Sequence, residues 1–153
     1  MNLLIGSFLA VCTTTFFALI ILRMIANRRG VQRVQPYSFK DASVEHLFFQ
    51  ADYVDAYRAP LRSSSLQDID TVVYKAFQKG NEISRTGSEV IFQEGAPGLD
   101  FAVSYRLEPD DEPRTLTMTT AVLFKGTKGK RYFRFVCPVH CTLTPFMISR
   151  MAN

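Results

Sequence analysis

The 153-residue sequence predicts an α+β fold: an N-terminal transmembrane helix, then an antiparallel β-sheet packed on a C-terminal helix. Three observations carry this. Residues 3–22 are an unbroken uncharged run rich in Leu, Ile and Phe. Residues 99–107 alternate apolar and polar side chains with the two-residue period of a strand, and residues 115–125 are Thr-rich and β-branched. Residues 131–151 bring apolar side chains back at helical spacing. The length suits one soluble domain of ordinary size behind the helix.

The first element is the apolar run. Its 20 residues, at about 1.5 Å each, match the roughly 30 Å hydrocarbon core of a bilayer. A buried helix of a soluble protein would show a polar stripe, and this run has none. A cleaved leader would want a basic residue before the run and small residues at a cleavage point after it. Neither is present, and Val11 is too large for a lipoprotein box ending at Cys12. Residues 1–26 therefore read as a transmembrane anchor.

Arg23, Arg28, Arg29 and Arg33 follow, with no acid among the first 35 residues. Beyond them the remaining 14 basic and all 14 acidic residues cancel, so the net charge of +4 belongs to the membrane flank. That leaves no uniformly basic domain surface of the kind nucleic-acid binding needs. The four arginines are expected at the membrane surface, each worth about 1 kcal/mol near an anionic leaflet. By the positive-inside rule they place the C-terminal domain in the cytoplasm, on a single pass through the inner membrane.

Residues 27–50 read as a basic linker closed by Pro36 and a short helical turn capped by Ser43. Residues 51–153 form the soluble α+β domain. Its first strand spans 51–61, with Tyr53, Asp55, Tyr57 and Leu61 on one face. Ser63, Ser64 and Ser65 turn the chain into an amphipathic helix over 66–79, capped by Ser65 and stopped by Gly80. Strands follow over 82–85, 89–94, 99–107 and 115–125, with a turn at 95–98 and an acidic loop at 108–113. Gly126 to Gly129 break the last strand. The closing helix carries Tyr132, Val136, Leu143 and Met147, widened by Val139 and Phe146, as its core stripe. Pro138 and Pro145 are expected to kink or divide it.

Several of these stretches resemble a known family. They are residues 51–57 (ADYVDAY), 99–104 (LDFAVS), the Thr-rich strand and the C-terminal pattern Arg131, Tyr132, Phe133, Val136, Pro138, His140, Pro145, Met147, Arg150. Over about residues 51–151 the chain resembles an uncharacterised bacterial domain-of-unknown-function family associated with the helix-grip folds of polyketide cyclases and START-type lipid carriers. The resemblance implies an abbreviated helix-grip-like architecture, a curved sheet around a long C-terminal helix with an apolar cavity between. It implies no catalytic residue. The stretch before Glu89 is shorter than in that family, and the anchor is not typical of it.

Candidate chemistry is sparse. Asp55 sits between two tyrosines on an inward face, where a carboxylate needs partners. A structural carboxylate at a sheet edge or bulge, bonded to backbone or to an arginine, is the favoured reading; a polar anchor or general base in a cavity is the functional one. Asp55, Tyr57, Tyr132 and His140 are the expected ligand-lining residues. Cys137, His140 and Cys141 are the one soft-ligand cluster, but three ligands from one helix do not complete a zinc site, and packing is the expected role. No metal or cofactor is expected. A cysteine nucleophile lacks an orienting acid and oxyanion donors. Residues 126–130 (GTKGK) do not have phosphate-loop spacing. The basic group Lys125, Lys128, Lys130, Arg131 and Arg134 suits either anionic lipid or a solvated loop. The sequence thus points to a membrane-anchored, non-enzymatic domain that binds a hydrophobic ligand or a membrane-protein partner. A cyclase- or isomerase-like enzyme using Asp55 and His140, and an accessory subunit of a membrane complex, are the alternatives.

Overall fold

A computed structural model describes residues 15, 17–41, 44–62, 68–74, 81–108 and 114–153. Most of the expected membrane span falls outside these residues, as do the Ser43 cap, the serine turn at 63–65, the ends of the helix expected over 66–79 with its stop at Gly80, and positions 109–113 of the acidic loop. Among the described residues no helix is long and apolar enough to cross a membrane.

The described chain opens with helix α1, residues 17–28. Six strands build one antiparallel sheet: β1 (Gln32–Val34), β2 (Tyr53–Pro60), β3 (Asn81–Arg85), β4 (Glu89–Ala96), β5 (Leu99–Glu108) and β6 (Thr115–Phe124). Their order across the sheet is β1-β2-β6-β5-β4-β3. Two short helices, α2 (Glu45–Phe49) and α3 (Ile69–Tyr74), and one long one, α4 (Gly126–Met151), complete it. The expected sheet-plus-C-terminal-helix architecture is present.

Period-2 alternation and register sort the side chains. Tyr53, Asp55, Tyr57 and Ala59 of β2 pair with Val122, Thr120, Met118 and Leu116 of β6. Those in turn pair with Phe101, Val103, Tyr105 and Leu107 of β5. All point to the face covered by α1, α3 and α4, where Tyr57, Val103, Tyr105, Leu116, Met118, Ala26, Val72, Ile148 and Met151 form the main core. At about 25 cal/mol per Å² of buried apolar area, this layer is the chief source of stability.

The opposite face is covered as well. Residues 36–41 and 44–50, expected as linker and short helix, cover it and bury Phe39 and Val44 against Ile91, Ala102 and Ala121. A buried polar clamp fixes them there. Arg106 donates to Glu89 through Nη2 at 3.0 Å and Nε at 3.2 Å, and to the Ser38 carbonyl at 2.7 Å. The other Glu89 oxygen accepts from the Lys40 backbone at 2.8 Å. Double cover explains why 89–94 alternates so weakly: Val90, Ile91 and Phe92 are all buried. The basic part of the expected linker, just before residues 36–41, supplies β1, whose three residues are too few to show a period.

Helix α3, within the stretch expected as helix, begins at Ile69. The Asp68 carboxylate caps it, accepting from the Thr71 backbone N–H at 2.7 Å, as a short acidic side chain does best. Helix α4 begins at Gly126, not after Gly129. The positive φ of Gly126 (72°) turns the chain from β6 directly into the helix. Neither proline divides α4. Pro145 does remove the N–H that would bond the Cys141 carbonyl, and Arg23 of α1 supplies the donor instead, at 3.1 Å.

The covered face of α4 differs from the expected stripe. Gly129, Phe133, Thr144, Pro145, Ile148, Ser149 and Met151 are buried. Tyr132, Val139 and Leu143 are exposed, while Val136, Phe146 and Met147 are half-buried. The helix is turned by about a third of a revolution from the expected setting. The sheet offers it Tyr53, Asp55 and Thr120 at this point, and these want polar partners.

Candidate functional site

Where α4 crosses β2, the alternation of the strand and the covered stripe of the helix bring polar groups together inside an apolar layer. Asp55 is 1 % exposed. Its Oδ2 accepts from the Tyr53 hydroxyl at 2.8 Å, and its Oδ1 lies 3.3 Å from Nε2 of His140. The other ring nitrogen, Nδ1, lies 3.2 Å from the Thr144 hydroxyl one turn further along α4. A hydrogen on Nε2 lets the ring donate to Asp55 while Nδ1 accepts from Thr144. Burial of the carboxylate is thus met by two donors.

Sulfur completes one wall. Cys141 Sγ lies 3.6 Å from the Tyr53 hydroxyl and 3.7 Å from Cys137 Sγ. Burial, and then the Cys141 sulfur, push the Cys137 thiol above its ordinary pKa, which disfavours the nucleophilic thiolate. Among the described residues no three His, Cys, Asp or Glu side chains converge as a metal set. Burial also raises the phenols of Tyr53 and Tyr57, with the Asp55 charge adding to both. The Tyr53 ring packs on Phe133 at 4.7 Å and faces His140 edge-on at 6.4 Å.

One group stays without a partner among the described residues. Thr120, 4 % exposed, faces Asp55 across the β2–β6 ladder, and its hydroxyl makes no hydrogen bond. An orphaned buried hydroxyl costs about 1–3 kcal/mol, so it marks a place where a polar atom of a bound molecule would be welcome. Nearby, a polar recess of about 490 Å³ opens at the sheet edge, lined by Arg33, Val34, Gln35, Pro36, Val54 and Asp55. It exists because β1 ends at Val34, opposite Ala56, and leaves the first residues of β2 uncovered.

Of the expected ligand-lining residues, Asp55, Tyr57 and His140 meet at this place. Tyr132 does not; it is 46 % exposed on the outer face of α4. Of the four arginines expected at the membrane, Arg23 turns into the domain, its guanidinium 5.8 Å from the Tyr57 ring centroid and bonded to Cys141. Arg33 sits beside Tyr57 in the β1–β2 register, while Arg28 and Arg33 are exposed and Arg29 half-buried. Tyr53, Thr120 and Thr144 went unpredicted. The Tyr53 signal was present, since it shares the parity of Asp55. His46 lies on α2, whose neighbours Leu47 and Phe48 pack on the opposite face of the sheet. Comparison of the chain with protein families, curated proteins and solved structures finds no match.

Proposed function

We propose that this chain is a membrane-anchored, non-enzymatic binding domain, held by residues 1–26 on the cytoplasmic side of the inner membrane. Its ligand has an apolar body and a polar head. The observation that carries the reading is the orphaned Thr120 hydroxyl beside the Asp55–His140 pair, inside a layer otherwise built of Tyr57, Met118, Val122 and Phe133. The polar head takes a hydrogen bond from Thr120. The sheet and long C-terminal helix are the coarse architecture of the helix-grip folds the sequence resembles, and for that reason a lipid-like ligand is preferred.

The test is native mass spectrometry of the full chain extracted in mild detergent. The wild type is expected to carry a non-covalent mass that Asp55→Asn and Thr120→Val both lose. Thr120→Val removes an unsatisfied hydroxyl, so the ligand-free variant should gain about 1 kcal/mol rather than unfold. Equal loading of all three proteins would move the ligand elsewhere, and an empty wild type would leave the partner-protein reading in its place.

One observation favours a second reading. The 3.3 Å contact of Asp55 with His140 is an arrangement able to exchange a proton with a bound carbon acid, as a cyclase- or isomerase-like enzyme requires. Turnover abolished by Asp55→Asn while ligand loading persists would select it.

A further inference from the structure

The more apolar side of α4 is the one the fold leaves uncovered. Phe135 is 82 % exposed, and Tyr132, Val139 and Leu143 are each more than a third exposed. At 100° per residue, Lys128, Arg131, Tyr132, Phe135, Val139 and Leu143 fall on one stripe, opposite the buried Phe133, Thr144 and Ile148. Lys130 and Arg134, also exposed, project from other sides of the helix. None of Lys128, Lys130, Arg131 and Arg134 pairs with a carboxylate among the described residues, and α4 contains no acidic residue. Lys125, by contrast, is bound to Asp100 at 2.7 Å.

Helix α1 is joined to α4 by the Arg23–Cys141 hydrogen bond, and its Ala26 shares the main core with Ile148. It too exposes an apolar row, Phe17, Ile20, Ile21 and Met24, and it too has no acid. Two adjacent helices therefore present aromatic and aliphatic side chains mixed with unpaired cations. A protein partner with an apolar groove answers only the first of these features. An anionic lipid surface answers both, because rings and aliphatic chains enter the headgroup–acyl boundary while lysine and arginine meet lipid phosphates and carboxylates.

We propose that the outer face of α4, beside the point where the proposed anchor leaves the bilayer, lies on the anionic membrane surface, with Phe135 as its deepest side chain. This deepens the membrane half of the function proposed above and is independent of the ligand at Asp55. It also gives the domain a fixed attitude: the sheet stands away from the lipid and the α4 layer separates the two. The recess at Asp55 opens at the β1 edge, the same edge from which α1 leaves.

The chain contains no tryptophan, so a single introduced indole reports without background. The full chain carrying Phe135→Trp is reconstituted into nanodiscs of phosphatidylglycerol and phosphatidylcholine whose acyl chains are brominated near the glycerol end. The expected result is blue-shifted emission, quenched by about twofold or more, as for an interfacial side chain. Phe49→Trp, on α2 at the opposite face, should remain unquenched. Replacing Lys128 and Arg131 with Gln, or using phosphatidylcholine alone, should weaken the quenching. Solvent-like emission from position 135 would overturn the proposal. Blue-shifted emission without bromine quenching would overturn it too, since protein would then be covering the face. The readout does not require the membrane span: the chain diluted from detergent onto preformed brominated vesicles should give the same quenching. Failure of the anchor and failure of the docking face are thereby distinguished.

Discussion

At the scale of single residues, the site rests on how buried polar atoms are satisfied. Asp55 and His140 were legible in the sequence because one obeys strand parity and the other is a lone imidazole on an apolar helix. Thr120 was not, because whether a threonine in a Thr-rich strand finds a partner depends on cross-strand register, which the strand itself does not encode. The role of Arg23 was hidden for a similar reason. Pro145 signals a freed carbonyl at Cys141, but only the docking of α1 shows which donor fills it. The tyrosines give a test at this scale. Burial raises the phenols of Tyr53, Tyr57 and Tyr105 above the ordinary value. In the unfolded chain these groups lose their protons near about pH 10, whereas in the folded protein they hold them. Their contribution to stability is therefore complete below that pH and is lost as pH rises beyond it. Ultraviolet titration should show these three phenols ionising only together with unfolding, detected in parallel by circular dichroism. Full phenolate absorbance from a still-folded protein would contradict their placement.

At the scale of elements, strands β2, β4, β5 and β6 and the existence of α4 could be read from periodicity. The facing of α4 could not. The sequence is apolar on more than one side there, and the stripe richest in apolar residues was the natural choice for the core. Burial went to the stripe with Cys137, His140 and Thr144 because the sheet beneath carries Asp55, Tyr53 and Thr120. Strand β1 was missed for its length, and the cover over 36–41 and 44–50 because loops that pack on a sheet show no period. The start of α4 offers a sharp test. Gly129 is buried against the β4–β5 turn, and a Cβ there would overlap the Gly98 carbonyl oxygen far inside van der Waals contact. Helix propensity alone would favour alanine by about 1 kcal/mol, but a backbone clash of this kind outweighs it. Gly129→Ala should lower the melting temperature of the full chain, at a cost of about 1–3 kcal/mol. Gly87→Ala, with nothing within 4 Å of its Cβ, should leave it nearly unchanged.

At the scale of the whole molecule, one sheet is covered on both faces by unlike means. Residues 36–41 and 44–50, fixed by the Glu89–Arg106 pair, close one side. Helices α1, α3 and α4 close the other, and the α1–α4 layer keeps an apolar, basic exterior. Both the proposed ligand site and the proposed membrane face depend on a single claim, that α4 turns its polar stripe to the sheet and its apolar stripe outward. Thermal unfolding of Ile148→Ala beside Leu143→Ala, in the full chain in mild detergent, tests that claim most directly. Ile148 is fully buried, so its truncation should cost about 2–5 kcal/mol. Leu143 is 37 % exposed on the outer stripe, and its truncation should cost less than about 1 kcal/mol. A large loss at Leu143 with little at Ile148 would mean that α4 sits with the opposite face on the sheet, and would contradict the account.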